Sequence, residues 1–296
     1  MNDLKAVIYI LIGASSYGIL STIVKLAYDN GFQPNEVTGS QAFFGVLILV
    51  GLIFLFGKRE SLSIRHWLLL LLVGIISGLT GVFYYSALQF VPASIGIVLL
   101  FQFTWMGVLM ESILDRRRPS VEKILSILFL LAGTLFAGDI LATGLTTIPI
   151  VGIVLGLLSA ATYAGFILAS GRLVPHVNPW MRSMILGLGS FIVVCVTFPP
   201  HFLINGSLFH GLWFWGLLLA FFGIVLPNLL FTYGVPKVGA GIATILGAVE
   251  LPMAVLLSRF VLQEQVSGVQ WIGVVLILVG IVMAEMRLTK RQMVNG

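Results

Sequence analysis

The sequence predicts an all-α integral membrane protein: ten transmembrane helices in two inverted five-helix repeats, with N- and C-termini cytoplasmic. Three observations point there. The chain of 296 residues is 59% hydrophobic and only 9% charged, with a mean hydropathy of +1.10, whereas soluble domains carry about 25% charged residues. Apolar runs close to the roughly 20 residues that cross a hydrocarbon core of about 30 Å recur from end to end. These runs are continuous, as in "LLLLLVGIISGL", where the strands of a membrane β-barrel would alternate apolar and polar positions. Lipid offers backbone groups no partners, so each run closes its hydrogen bonds as a helix.

Breaks at charged or Gly/Pro clusters place the spans at residues 4–27, 36–57, 65–90, 93–114, 121–138, 150–173, 178–198, 210–235, 238–261 and 267–286. The first is longer than a signal-peptide core and is followed by no clear small-residue cleavage site, so it is expected to stay in the protein. Only "FVPASI" separates the third span from the fourth and "VPKVGAG" the eighth from the ninth, where proline and small residues end one helix and begin the next. Lys58–Glu60, Asp115–Arg118 and Arg287–Arg291 read as interfacial anchors. Glu111, Arg259 and Glu264 lie near span ends, where they can snorkel or pair locally.

Placing the N-terminus inside puts 14 of the 16 Lys and Arg residues on the cytoplasmic side and leaves only Lys25 and Arg259 outside. That asymmetry is the positive-inside rule, and an odd number of spans would break its alternation. The expected location is the plasma membrane, and the net charge of +5 reports topology rather than nucleic-acid binding. Cys195 is the only cysteine, so no intrachain disulfide forms, and it has no metal-binding companion. The chain has no P-loop and no H-E-x-x-H, and its four histidines fall near span ends. No catalytic residue, cofactor or metal is expected, and the oligomeric state is left open.

Sliding the second half back by 147 residues pairs Val91 with Val238, Ala93 with Ala240, Leu99 with Leu246, Met106 with Met253 and Gly133 with Gly280. Ser16-Tyr17 and Thr162-Tyr163 sit one register step off that offset, and Lys25-Leu26 and Arg172-Leu173 fall back on it. The copies are assigned to residues 1–145 and 146–296. Five spans per copy is an odd number, so the second copy enters the membrane inverted, a plan in which substrate sits near the midplane between the copies.

The candidate substrate-binding residues are Tyr17, Tyr85, Phe101, Gln102, Trp105, Tyr163, Asn228 and Glu250. Glu250 falls about 18 Å into the ninth span at 1.5 Å per residue. A charge there costs several kcal/mol unless it meets a partner or water. That makes it the candidate for proton coupling, set against the plainer role of a protonated carboxyl bonding a neighbouring helix. Ala243, Gly247 and Ala254 share its face, and Pro252 is expected to leave a carbonyl unpaired near Ala248. In "LLFQFTWMG", Phe101, Gln102 and Trp105 share a face, and a central indole N–H needs a partner. Tyr17 and Tyr163 mark two further faces mixing aromatic and small polar groups. Asn228 must find partners for its amide. Tyr84 and Tyr85 point about 100° apart, so at most one of them is well placed. Lys25 is a candidate at the entrance of an anionic substrate.

The stretch "ELPMAVLLSRFVLQEQVS", Glu250 to Ser267, resembles the glutamate-proline and later glycine-glutamate pattern that closes the penultimate helix of EamA-type repeats in the drug/metabolite transporter superfamily. Here Leu251 separates Glu250 from Pro252, and Gln263 replaces the glycine before Glu264. The matching segment of the first copy ends "LDRRRPS" and lacks the second glutamate. Short hairpins such as "ALQFVPASIG" extend the resemblance across nearly the whole chain. It implies a ten-helix secondary transporter, often an exporter of amino acids or other small metabolites, with spans five and ten at the periphery of each half. Only Glu250 and Glu264 carry over residue by residue. The expected function is export of small metabolites, amino acids first, by alternating access at a central cavity. Aromatic faces equally suit quaternary ammonium or other cationic, drug-like compounds. The reading from another class, an intramembrane lipid-modifying enzyme, would need clustered polar groups that the sequence hardly offers. The partners implied are the small-molecule substrate and the lipid bilayer.

Overall fold

Five helices of this chain, those beginning at Pro34, Ile64, Val121, Pro179 and Leu226, start where a cap or a proline prepares the backbone. The computed structural model describes residues 3–56, 61–138 and 149–295. Helix α1 covers Asp3–Asp29 and α2 Pro34–Phe56; α3 covers Ile64–Ala87, α4 Ala93–Leu100, α5 Phe103–Asp115 and α6 Val121–Ala137. In the second half α7 covers Ile150–Arg172, α8 Pro179–Thr197, α9 Trp213–Ala220, α10 Leu226–Val238, α11 Ala240–Gly247, α12 Glu250–Phe260 and α13 Gly268–Asn295. Side-chain oxygens of Ser63, Ser120 and Asn178 accept from the backbone N–H groups of His66, Lys123 and Trp180, satisfying donors left open at the first turns of α3, α6 and α8. Pro34 and Pro179 open α2 and α8, where a missing N–H costs nothing.

Each of the ten segments expected from the sequence contains helix, and no strand occurs among the described residues. Eight helical spans are long and apolar enough to cross a membrane, and Gly268–Ala284 forms a shorter apolar helix. The span Leu208–Val238 kinks at His210 and Gly211, where Gly211 has φ 107°, carries a π-helical turn at Phe221–Val225 and runs through Pro236 to Val238. Only Gly239 then separates α10 from α11. Lys58–Glu60, the side chains of Arg287, Lys290 and Arg291, and the 145/146 boundary lie outside the described residues.

Packing joins the early helices to the late ones. Helix α1 lies against α10 and α12, α7 against α3 and α5, α2 against α8 and α9, and α6 against α13. The main core gathers Ala14, Phe103, Tyr163, Phe231, Leu246 and Leu251 from six helices, α1, α5, α7, α10, α11 and α12. Large apolar side chains such as Leu55, Ile113, Ile150 and Val196 face outward, as they do where lipid rather than water is the surrounding solvent. Buried hydroxyls turn back onto their own helix: Ser16 donates to the Gly13 carbonyl at 2.7 Å and Thr134 to that of Leu130 at 2.7 Å, so neither is left unpaired in the interior.

Candidate substrate-binding site

Two spans are broken halfway, and the site lies at the breaks. Helix α4 ends at Leu100 and α5 starts at Phe103; α11 ends at Gly247 and α12 starts at Glu250. In both places the backbone slips from α-type to tighter i→i−3 bonding. Gln102 N–H donates to Leu99 at 3.2 Å and Thr104 N–H to Phe101 at 3.2 Å; Val249 N–H donates to Leu246 at 3.2 Å and Leu251 N–H to Ala248 at 3.3 Å. The two sets are 147 residues apart, the same offset that aligns the sequence halves. Leu251 N–H therefore satisfies the Ala248 carbonyl, which corrects the expectation that Pro252 leaves it open. The break also divides the small-residue face assigned to Glu250, because Ala243 and Gly247 belong to α11 while Ala254 follows Glu250 on α12.

Glu250 begins α12, midway along the span Ala240–Phe260. Its backbone lies against α1: a Cβ on Gly18 would stand 2.5 Å from the Glu250 carbonyl oxygen and 2.7 Å from Met253 Cβ, so only glycine permits this crossing. The phenols of Tyr17, Tyr84 and Tyr163 lie within electrostatic range of the Glu250 carboxyl. Tyr17 and Tyr163 meet edge to face with centroids 6.1 Å apart, and Tyr17 meets Phe231 in the same way at 6.1 Å. The Tyr163 ring lies 4.6 Å from that of Phe103 and stacks on Phe166 at 6.4 Å. Glu250 Oε2 and the Tyr163 hydroxyl are buried without a hydrogen-bond partner. Each such group costs free energy until something bonds it.

Of the residues singled out from sequence, Tyr17, Tyr163 and Glu250 come together. Phe101 is buried one step behind, its ring 5.5 Å from Phe103. The Trp105 indole N–H donates to Gln102 Oε1 at 2.8 Å while Gln102 Nε2 donates to the Val98 carbonyl at 2.9 Å. The expected indole partner is thus Gln102 itself, and the pair closes on its own span. Asn228 is buried on α10, three residues before Phe231 and so on the same face of that helix. Tyr84 and Tyr85 meet edge to face with centroids 5.8 Å apart, and it is Tyr84 that lies within electrostatic range of the Glu250 carboxyl. Phe103 and Phe231 complete the aromatic wall; neither carried a polar signal that would single it out from the other 19 phenylalanines of the chain. Polar contacts secure α7 beside the wall: Ser159 donates to the Thr80 carbonyl at 3.0 Å and Thr80 Oγ1 lies 3.1 Å from Thr162 Oγ1.

The broken spans also end alike. Arg116 after α5 and Gln263 after α12 are left-handed at φ 51° and 56°, again 147 positions apart. The glycine that Gln263 replaces in the family pattern would have suited this conformation. Beside each turn an ion pair ties the fourth or ninth span to a helix of the other half. Lys25 at the end of α1 pairs with Glu264, and Arg172 at the end of α7 pairs with Asp115 at 2.6 Å. Asp115 therefore does more than anchor the interface, Lys25 is engaged by Glu264, and the first half supplies its carboxylate two positions earlier than a glutamate equivalent to Glu264 would stand. A third pair, Glu111 with Lys123, is largely buried against Gly239 and Gly241 at the start of α11.

Comparison with known proteins places this architecture. The model of the EamA-like transporter family matches residues 4–138 and 150–286. An uncharacterized transporter of Archaeoglobus fulgidus is 27% identical over 277 residues, 93% of this chain and 94% of that protein. An uncharacterized transporter of Synechocystis is 27% identical over 201 residues, 66% of this chain and 60% of its own length. A solved crystal structure shares the fold with a TM-score of 0.78 at 19% identity, covering 97% of this chain and 98% of that one. With matches on both sides of the 139–149 interval and multiple apolar spans, the chain is a multi-pass membrane transporter of the drug/metabolite transporter superfamily and belongs to the EamA-like transporter family.

Proposed function

We propose that the protein is a secondary transporter that exports small metabolites bearing a protonated amine, amino acids first, by alternating access from the plasma membrane. The observation that carries this reading is the pair of buried, partnerless groups, Glu250 Oε2 and the Tyr163 hydroxyl, inside an aromatic wall at mid-span. A primary ammonium supplies N–H donors for the carboxylate and the phenol, and its charge is attracted to the ring faces. A quaternary ammonium would satisfy the rings and the charge but give those oxygens no donor, which ranks it second. A proton on Glu250 is the natural alternative occupant, so substrate and proton would exchange at one carboxylate.

The same reading takes residues 1–145 and 146–296 as inverted copies with ten spans and both ends cytoplasmic. It is supported by features recurring 147 residues apart: the slipped bonds at 101 and 248 and the left-handed turns at 116 and 263. The helix contacts follow a matching exchange, with α1 on α10 and α12 as α7 is on α3 and α5. The Lys25–Glu264 and Arg172–Asp115 pairs then close opposite ends of the route, and releasing one at a time opens the site to one side. Export, rather than uptake, rests on the resemblance to the family's exporters.

Counterflow into proteoliposomes tests the proposal. Vesicles preloaded with a mixture of unlabelled amino acids should accumulate labelled amino acid saturably, faster with an opposing proton gradient, and labelled choline should enter more slowly. Faster, saturable choline entry would transfer the assignment to quaternary ammonium compounds. Flux that rises linearly with concentration would mean a pore.

A further inference from the structure

We propose that a groove at one membrane face, separate from the mid-span site, binds the phosphate group of an anionic molecule. The groove has a volume of about 510 Å³ and lies between the first turn of α3 and the α7–α8 connection. Four basic side chains line it: Arg65 and His66 from α3, Arg172 at the end of α7, and His176. Interfacial anchors ordinarily splay towards water; these converge on one concavity. Asp115 offsets only Arg172.

The field is stronger than the lining shows. Arg182, 1% exposed at the start of α8, donates to the Ser170 carbonyl, two residues before Arg172. Its Nε is buried without a partner, and it forms no ion pair among the described residues. A buried guanidinium with no counter-charge, tied to the last turn of the helix that brings Arg172 to the groove, adds to the positive potential that favours an anion there. Between the basic groups the walls are apolar, including Leu69, Leu173 and Val177. Arg65 and Arg172 stand at the ends of membrane-length helices, which sets the groove at headgroup depth. Phosphate flanked by hydrocarbon is the chemistry of a phospholipid headgroup, and basic pockets between helices at this level suit it. A free phosphate anion offers the same oxygens to the same donors.

The two sources are separable with purified full-length protein in dodecyl maltoside. Dioleoyl phosphatidylglycerol, dioleoyl phosphatidylcholine and inorganic phosphate are titrated separately, with adducts read by native mass spectrometry and stability by thermal unfolding. Phosphatidylglycerol should persist as an adduct and raise Tm where phosphatidylcholine does not. Arg65→Gln should weaken it about fivefold, the effect of removing one basic residue near such a headgroup. Arg118→Gln removes the same charge from an exposed position outside the groove and should leave binding unchanged. Because Arg65 is exposed, the variant should elute as wild type. An Arg65-dependent Tm rise with phosphate and none with phosphatidylglycerol would assign the groove to a free anion and keep the proposal. Equal weakening by the two variants, equal retention of the two lipids, or no Arg65-dependent response to either anion would overturn it.

Discussion

The two broken spans share one backbone and differ in what they present to Tyr163. Position 103 in the first corresponds to position 250 in the second, so a phenyl ring stands where its counterpart carries a carboxyl. Phe103 is fully buried and packs at a tilt on Tyr163; the Glu250 carboxyl lies within electrostatic range of the same tyrosine. The slipped bonding thus recurs at both positions without depending on the side chain there, while the carboxyl stands in the second span alone. In the proposed site a single carboxyl faces a wall of rings, so one side would bind by charge and hydrogen bonds and the other by area and ring quadrupole.

Exchanging the carboxyl for its amide should sharpen that contrast most. Glu250→Gln keeps shape but loses the charge-assisted bond, worth about 1.5–3 kcal/mol. Apparent substrate affinity in counterflow should fall about 10- to 100-fold, and acceleration by a proton gradient should vanish, with thermal stability nearly unchanged. An unaltered gradient response would remove Glu250 from coupling. Phe103→Ala should behave in the opposite sense. It empties a buried aromatic site, so stability measured by denaturant unfolding should drop by about 3 kcal/mol while the remaining folded protein keeps its proton dependence. A variant at 103 that abolished coupling without loss of stability would contradict the division of labour.

The helical regions were legible because length and continuity of apolar runs set them: all ten segments contain helix near their expected bounds. The breaks were legible only in part. "LLFQF" contains neither proline nor glycine, so nothing in it announces a slip at Phe101 and Gln102. Pro252 did hint at irregularity in the ninth span, yet read as a continuous helix it placed Ala243 and Gly247 beneath Glu250. Lys25 and Glu264 are 239 residues apart, and no spacing rule connects them. Arg182 counts in the sequence only as one of the 14 cytoplasmic Lys and Arg residues, because charge counting carries no information on burial. The choice between Tyr84 and Tyr85 turned on a rotation of about 100°, finer than a span boundary can be placed.

Comparison of the two breaks also predicts what proline does. Trp105 occupies in the first span the place of Pro252 in the second, and the backbone slips in both. Pro252→Ala should therefore leave the break in place, change stability by less than about 1 kcal/mol and alter uptake less than about twofold, because the Ala248 carbonyl is already served by Leu251 N–H. A large loss would mean that α12 depends on proline in a way α5 does not depend on Trp105.

The smallest effect concerns the turns that close the two spans. Gln263 and Arg116 both hold left-handed backbone, which costs an L side chain roughly 1–2 kcal/mol and glycine almost nothing. Glycine also gives the unfolded chain more freedom to lose, so Gln263→Gly should gain only about 0.5 kcal/mol in unfolding measurements. The Gln263 side chain donates to the Phe260 carbonyl at 2.8 Å at an exposed position, and water replaces that bond without penalty. Arg116→Gly should gain a similar amount, since it stands at the equivalent turn. If the gain appeared at one position and a loss at the other, the two turns would not be equivalent. The offset of 147 would then describe the sequence alignment alone and not a shared local structure.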